Sequence, residues 1–282
     1  MPRLIPRLVT AVLWSTLALV GPAKAGSFTD DFESDAVGSF PAAWGDVRSV
    51  ALPHTPLPSA SIVATTDALG APTQALQTVG ATAVSRGVFR PIAPAPDHQL
   101  AADVRVDRFG STGAGATPVT SWPLLLGVAE LLPGSDLCCF PTAQVGLYVS
   151  TLTRGFRLFS TDGAGVSNDI DLGAGATLDT WYHVDLDVEV ATGTVHSRIS
   201  DVLGLTVLVD QSHVIPGWTP AQFDVVSFFG GDLAASDVTG IGTLDRVSYA
   251  AVPEPGTLWL LSLGLASGVA LRRAARRPQR AA

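Results

Sequence analysis

Apolar and polar residues alternate at period two along much of this chain, and helical periodicity is scarce in its body. From Gln99 to Arg108, Leu100, Ala102, Val104 and Val106 fall on one face, and Asp103, Arg105 and Asp107 on the other. Ala143 to Val149 alternates in the same way through Val145 and Leu147. Arg154 to Ser160 and Phe223 to Phe229 are short apolar-aromatic runs suited to buried strands. Gly, Pro, Ser and Asp clusters, such as Gly110 to Thr117, break the chain between such runs. About a dozen strands joined by such loops predict an all-β fold, two antiparallel sheets packed as a sandwich.

The sharpest local pattern is a hairpin from Trp181 to Ile199. Tyr182, Val184, Leu186, Val188 and Val190 face one way; His183, Asp185, Asp187 and Glu189 face the other. A turn at Ala191-Thr192-Gly193-Thr194 pairs Val190 with Val195, Glu189 with His196, Asp187 with Arg198 and Leu186 with Ile199. A loop one residue shorter would set Val188 opposite His196 and mix the faces, so the apolar pattern selects the four-residue turn.

Both ends of the chain differ from this body. Arg3 and Arg7 precede an apolar stretch from Leu8 to Val20, and Ala23-Lys24-Ala25 is a small-x-small cleavage site. Residues 1–25 therefore read as a signal peptide, and the mature chain is expected to start at Gly26. At the other end, Pro253-Glu254-Pro255 precedes a fifteen-residue apolar run from Thr257 to Leu271, followed by Arg272, Arg273, Arg276, Arg277 and Arg280. The prolines cannot continue a helix. The run would span roughly 22 Å as a helix against a hydrocarbon core of about 30 Å, adequate for transient retention. The arginines hold the extreme C-terminus on the cytoplasmic side. These three parts, in this order, resemble the PEP-CTERM sorting tail of exported bacterial proteins. That resemblance implies passage through the export translocon, transient insertion in the inner membrane through residues 257–271, and cleavage by an exosortase-type enzyme. It also implies a final place at the envelope surface or outside the cell, in association with exopolysaccharide. The expected organisation is a signal peptide at 1–25, a β-sandwich domain at 26–252 and a sorting tail at 253–282.

Charge narrows the partners of the body. Residues 26–252 hold nine arginines, no lysine and 24 acidic residues, a formal charge of −15. Such a surface repels nucleic acid and anionic lipid, and it is compatible with cations or neutral glycans. The two cysteines are neighbours, Cys138 and Cys139. Adjacent Cα atoms lie about 3.8 Å apart, below the usual disulfide span, so a vicinal bond would be strained. A vicinal disulfide and free or intermolecular thiols both stand open.

Asp31-Phe32-Glu33 followed by Gly38, Pro41 and Trp44, the Trp181-Tyr182-His183 strand with its Thr192-Gly193-Thr194 turn, and a final strand from Gly242 to Tyr249 are similar to concanavalin A-like, laminin G-like jelly rolls. The resemblance implies that the first and last strands pair, which would bring Asp30, Asp31 and Glu33 to Asp245. Hard oxygen ligands suit calcium, so Asp31, Glu33 and Asp245 are the candidate metal site, against a charged edge that discourages aggregation. Asp162, Asn168, Asp169 and Asp171 form a second acidic run without EF-hand spacing. Asp185, Asp187 and Glu189 share a strand face about 7 Å apart in succession. Jelly-roll glycanases carry such a row with a glutamate where this chain has Asp185, so the shorter side chain argues for a solvated strand face over a catalytic pair. Trp44, Trp122, Trp181 and Trp218 are candidate sugar platforms or core residues. The five histidines show no paired ligand spacing, and no nucleophile elbow or phosphate loop occurs. The expected role is a non-catalytic exported surface or matrix protein; a jelly-roll glycan hydrolase or lyase and a lectin-like module are the rivals.

Overall fold

A computed structural model describes residues 26–47, 60–79, 84–111, 117–118, 121–130, 143–161, 167–215, 223–232 and 239–252. Ala23, Ala25, Cys138, Cys139, Trp218, Pro253, Glu254, Pro255 and the apolar run after them lie outside the described residues. Among those described, no helix is long and apolar enough to cross a membrane.

The described chain is two antiparallel sheets. The first has the strand order β13(Val207–Val214), β12(Thr194–Asp201), β11(Trp181–Glu189), β6(Asp97–Arg108), β15(Ile241–Val252), β4(Pro72–Val79) and β3(Ala60–Thr66), with β1(Ser27–Asp30) also paired to β15. The second runs β10(Ser167–Gly175), β9(Gly155–Thr161), β8(Ala143–Val149), β7(Ser121–Glu130), β14(Val225–Asp232), β5(Val84–Pro91) and β2(Gly45–Val47). The sandwich expected from the alternation is present, and the runs at 99–108 and 143–149 fall within or on β6 and β8.

Alternation fills the space between the sheets. Leu100, Ala102, Val104 and Val106 of β6, with Val184, Leu186 and Val188 of β11, share one buried cluster with Leu124, Leu126 and Val128 of β7 and Val145, Leu147 and Val149 of β8. Each Val or Leu side chain among them contributes about 1.5–3 kcal/mol by leaving water. The intervening residues, Gln99, Ala101, Asp103, Arg105, Asp185 and Asp187, are left on the outer face of the first sheet.

β15 is the pivot. It pairs with β6 along its length. On its other side β4 takes Ile241–Leu244 and β1 takes Val247–Ala250. A bulge lies where the two partners change, between Asp245 and Ser248. The first and last strands pair as expected, Ser27 with Ala250 and Phe28 with Tyr249.

The hairpin keeps its faces and changes its register. Val188 stands opposite Val195, Asp187 opposite His196, and Asp185 opposite Arg198. The expected Asp187–Arg198 pairing is therefore replaced. The loop is Val190–Gly193, one residue earlier than the expected Ala191–Thr194, and Gly193 closes it at φ 64°. That left-handed position suits glycine, which fixes where the loop ends. The apolar pattern cannot distinguish the two registers, because a slip of two residues conserves every face.

The assignment of faces predicts an asymmetry. Val188 is 1 % exposed, so Val188→Asp places an unpaired charge in the core and should cost several kcal/mol, unfolding the domain in a melting experiment. Asp187→Asn, on the outer face, should cost under about 1 kcal/mol. Equal melting temperatures for the two variants would overturn the assignment.

Candidate functional site

The register places two polar rows side by side across the outer face of the first sheet. One row runs Thr29, Ser248, Ala101, Asp185, Arg198 and Asp210 across β1, β15, β6, β11, β12 and β13. The next runs Ser27, Ala250, Gln99, Asp187, His196 and Ser212. Ala101, Ser248 and Ala250 have short side chains, and longer ones flank them. The result is an open depression of about 730 Å³ between the β1 rim and the Asp185, Asp187, His196 and Arg198 rim.

Beside it lies a knot of buried charge. Asp103 and Asp245 are opposite each other on β6 and β15, exposed to 4 % and 2 %. Two like charges so placed need cations. The bulge in β15 supplies one: Arg246 adopts φ 47°, and its Nε donates to Asp103 Oδ2 at 2.9 Å. A left-handed non-glycine residue costs on the order of 1 kcal/mol, and bulges commonly re-aim a side chain in this way. His183, opposite Asp103 on β11, donates from Nδ1 to Asp103 Oδ1 at 2.7 Å and approaches Asp185 with Nε2 at 3.4 Å. Its hydrogen bond to Asp103, with a lesser one to Asp185, raises its pKa to about 9. His183 is therefore an imidazolium at neutral pH.

Asp245 is left with less. It accepts from the Arg246 backbone N at 2.7 Å, lies 3.9 Å from Arg246 Nε, and meets the Thr73 hydroxyl only at 3.5 Å. Desolvation dominates, and its pKa rises to about 6. Thr73 gives its better hydrogen bond, 2.7 Å, to Glu33, which also accepts from the Gln74 backbone N at 2.8 Å. These donors, the Gln74 N–H foremost, hold the Glu33 carboxyl below its usual range. Asp31 Oδ1 accepts from the Glu33 backbone N at 3.2 Å. Asp30 accepts from Arg90 at 2.6 Å and from Trp44 Nε1 at 3.0 Å. Glu33 and Asp245 thus converge on Thr73, while Asp31 turns to its own loop. Among the described residues, no three His, Cys, Asp or Glu side chains are grouped so as to hold a metal ion.

The carboxylate row of β11 is likewise divided. Asp185 leans on His183, Asp187 lies 3.6 Å from His196 Nδ1, and Glu189 accepts from the Thr192 hydroxyl at 3.0 Å in the turn. His196 Nε2 meets Asp210 at 2.8 Å. Burial foremost raises the Asp187 pKa. Arg198 faces solvent with no ion pair among the described residues. In the second acidic run, Asp169 and Asp171 of β10 both accept from Arg157, at 2.7 and 2.6 Å. Of the candidate platforms, Trp44 is in the core, and Trp181 donates to the Thr66 carbonyl at 2.9 Å beneath the Arg105 guanidinium. Trp122 is half-buried edge-on to Tyr148, on the outer face of the second sheet.

Alternation alone puts Asp103 and Asp185 on the outer face. The parts that depend on the bulge and on register, Arg246 over Asp103 and Arg198 beside Asp185, have no signal in the local pattern.

The tail decides what kind of protein carries this face. Residues 251–277 match the PEP-CTERM protein-sorting motif. The match to this sorting motif begins at Ala251, within β15. The chain is an exported protein, held transiently in the membrane and then located at the surface. No curated protein matches the chain. Solved structures that the body is similar to include arcelin-5, a lectin-like defence protein from Phaseolus vulgaris, at 11 % identity and TM-score 0.46, covering 81 % of this chain and 98 % of that one. The cellulose-induced protein Cip1 is similar at 10 % identity and TM-score 0.48, covering 80 % and 98 %. A sialidase is similar at 11 % identity and TM-score 0.48 over 82 % of this chain, which spans 19 % of the sialidase's own length.

The knot predicts two opposite pH dependences. His183 is raised, so its contribution is complete below about pH 6.5 and is lost as pH rises through about 9. The difference in melting temperature between wild type and His183→Gln should shrink from pH 7 to pH 10. Asp245 is a carboxyl raised from 3.8 to about 6, so its ionisation destabilises the fold by on the order of 3 kcal/mol at neutral pH, and stability is lost as pH rises through that range. Asp245→Asn keeps an acceptor for the Arg246 N–H and should melt above wild type at pH 7, with the gap closing by pH 4. A gap independent of pH would overturn the assignment.

Proposed function

We propose that this exported sandwich is a non-catalytic surface or matrix protein associated with extracellular polysaccharide, released from the inner membrane by an exosortase-type enzyme. One observation carries the non-catalytic part: the carboxylates of β11 are each engaged by a different neighbour. A retaining glycosidase needs two carboxyls about 5–5.5 Å apart, one free to attack and one holding a proton. Here Asp185 lies against an imidazolium, and Glu189 is bound into the turn. Association with polysaccharide is supported by the sorting motif and by the acidic, lysine-free body, whose charge is compatible with neutral glycans. The raised Asp187 carboxyl, beside the open depression, favours the rival reading of a glycan hydrolase.

Two measurements test this. Intact-mass analysis of the protein recovered from the cell exterior should show a chain that starts at Gly26 and lacks residues 272–282; a full-length C-terminus there would refute processing. Incubation with soluble β-glucans should release no reducing ends. Turnover that Asp187→Asn abolishes would replace the binding role with a hydrolytic one.

A further inference from the structure

We propose that the depression on the outer face of the first sheet is a binding subsite for a neutral, hydroxyl-rich glycan, with Arg198 as its principal donor and Asp185 and Asp187 as its acceptors. The proposal rests on the polysaccharide reading above and adds the site and the ligand chemistry.

Shape comes first. The depression holds about 730 Å³, within the roughly 300–1,000 Å³ usual for small-molecule sites. Its floor is flat because Ala101, Ser248 and Ala250 occupy adjacent positions on β6 and β15. A ring lying there meets small side chains below and polar heads at one rim.

Charge then selects the ligand. Asp185 and Asp187 bring two carboxylates to the rim, and Asp210 lies beyond His196. They disfavour a polyanion, as does the charge of −15 on residues 26–252. The Arg198 guanidinium and the His183 imidazolium behind Asp185 disfavour a cation. What remains is a ligand that both donates and accepts without net charge. Vicinal sugar hydroxyls do this: they donate to carboxylates and accept from a guanidinium. Arg198 is the side chain most available for it. It is exposed, and among the described residues it has no ion pair to break on binding.

The test uses the exported protein as the cell processes it, run in native gels containing laminarin, dextran or alginate. Wild type should be retarded by a neutral polymer, laminarin or dextran, more than by the polyuronate alginate. Arg198→Ala and Ala101→Trp should each weaken that retardation tenfold or more at an unchanged melting temperature. If Ala101→Trp fails to fold, the exposed Arg198→Ala decides alone. Undiminished retardation of Arg198→Ala would place binding elsewhere and overturn the subsite while leaving the polysaccharide reading intact. Stronger retardation by alginate would overturn the ligand chemistry. Retardation by none of the three would remove both the subsite and the binding role.

Discussion

The seating of the last strand inside the first sheet is the constraint on which the rest depends. β15 lies between β6 on one side and β4 with β1 on the other. Without it, β6 and β4 lose their common neighbour and β1 has no partner in that sheet. Ser27 and Ala250 pair across almost the whole body, and closing such a loop costs entropy before any contact repays it. The sandwich therefore cannot close until its C-terminal strand is available.

The same strand creates the electrostatics of the site. Two partners meet on one flank of β15, and the bulge takes up the mismatch. It turns Arg246 out of the ladder and over Asp103, and His183 closes the other side. A buried carboxylate pair without such cations would be strongly destabilising. The arrangement is unequal: Asp103 holds both cations at hydrogen-bonding distance, while burial raises the pKa of Asp245, which Arg246 Nε approaches only to 3.9 Å. The arginines Arg90, Arg105 and Arg157 are similarly committed, each to aspartates within hydrogen-bonding distance. Arg198 differs because register sets it beside Asp185 without contact.

The sandwich was legible because period-two alternation is a local signal, and β6, β8 and β11 carry it cleanly. The faces of the β11–β12 hairpin were legible for the same reason. Its register was not: pattern fixes only parity, and the left-handed turn position of Gly193 chose between registers two residues apart. The meeting of Glu33 with Asp245 followed from pairing of the first and last strands. What satisfies those carboxylates did not follow, because Thr73, the Gln74 N–H and Arg246 come from a third strand and a bulge. The depression was hidden for a related reason: Ala101 and Ser248 carry no chemistry and gain meaning only as neighbours on different strands.

The two ends of the body meet at one edge. The Ala251 backbone N donates to the Gly26 carbonyl at 3.1 Å, and Val252 still pairs with Asp97. Gly26 and the first residues of the sorting motif, which begins at Ala251, therefore lie side by side. A processing enzyme that binds residues on the N-terminal side of Pro253 meets a strand already hydrogen-bonded to its neighbours. Extended substrate there requires β15 to release its last residues. Those residues are the end of the strand that closes the sheet, and their release by fraying is far less costly than withdrawing β15.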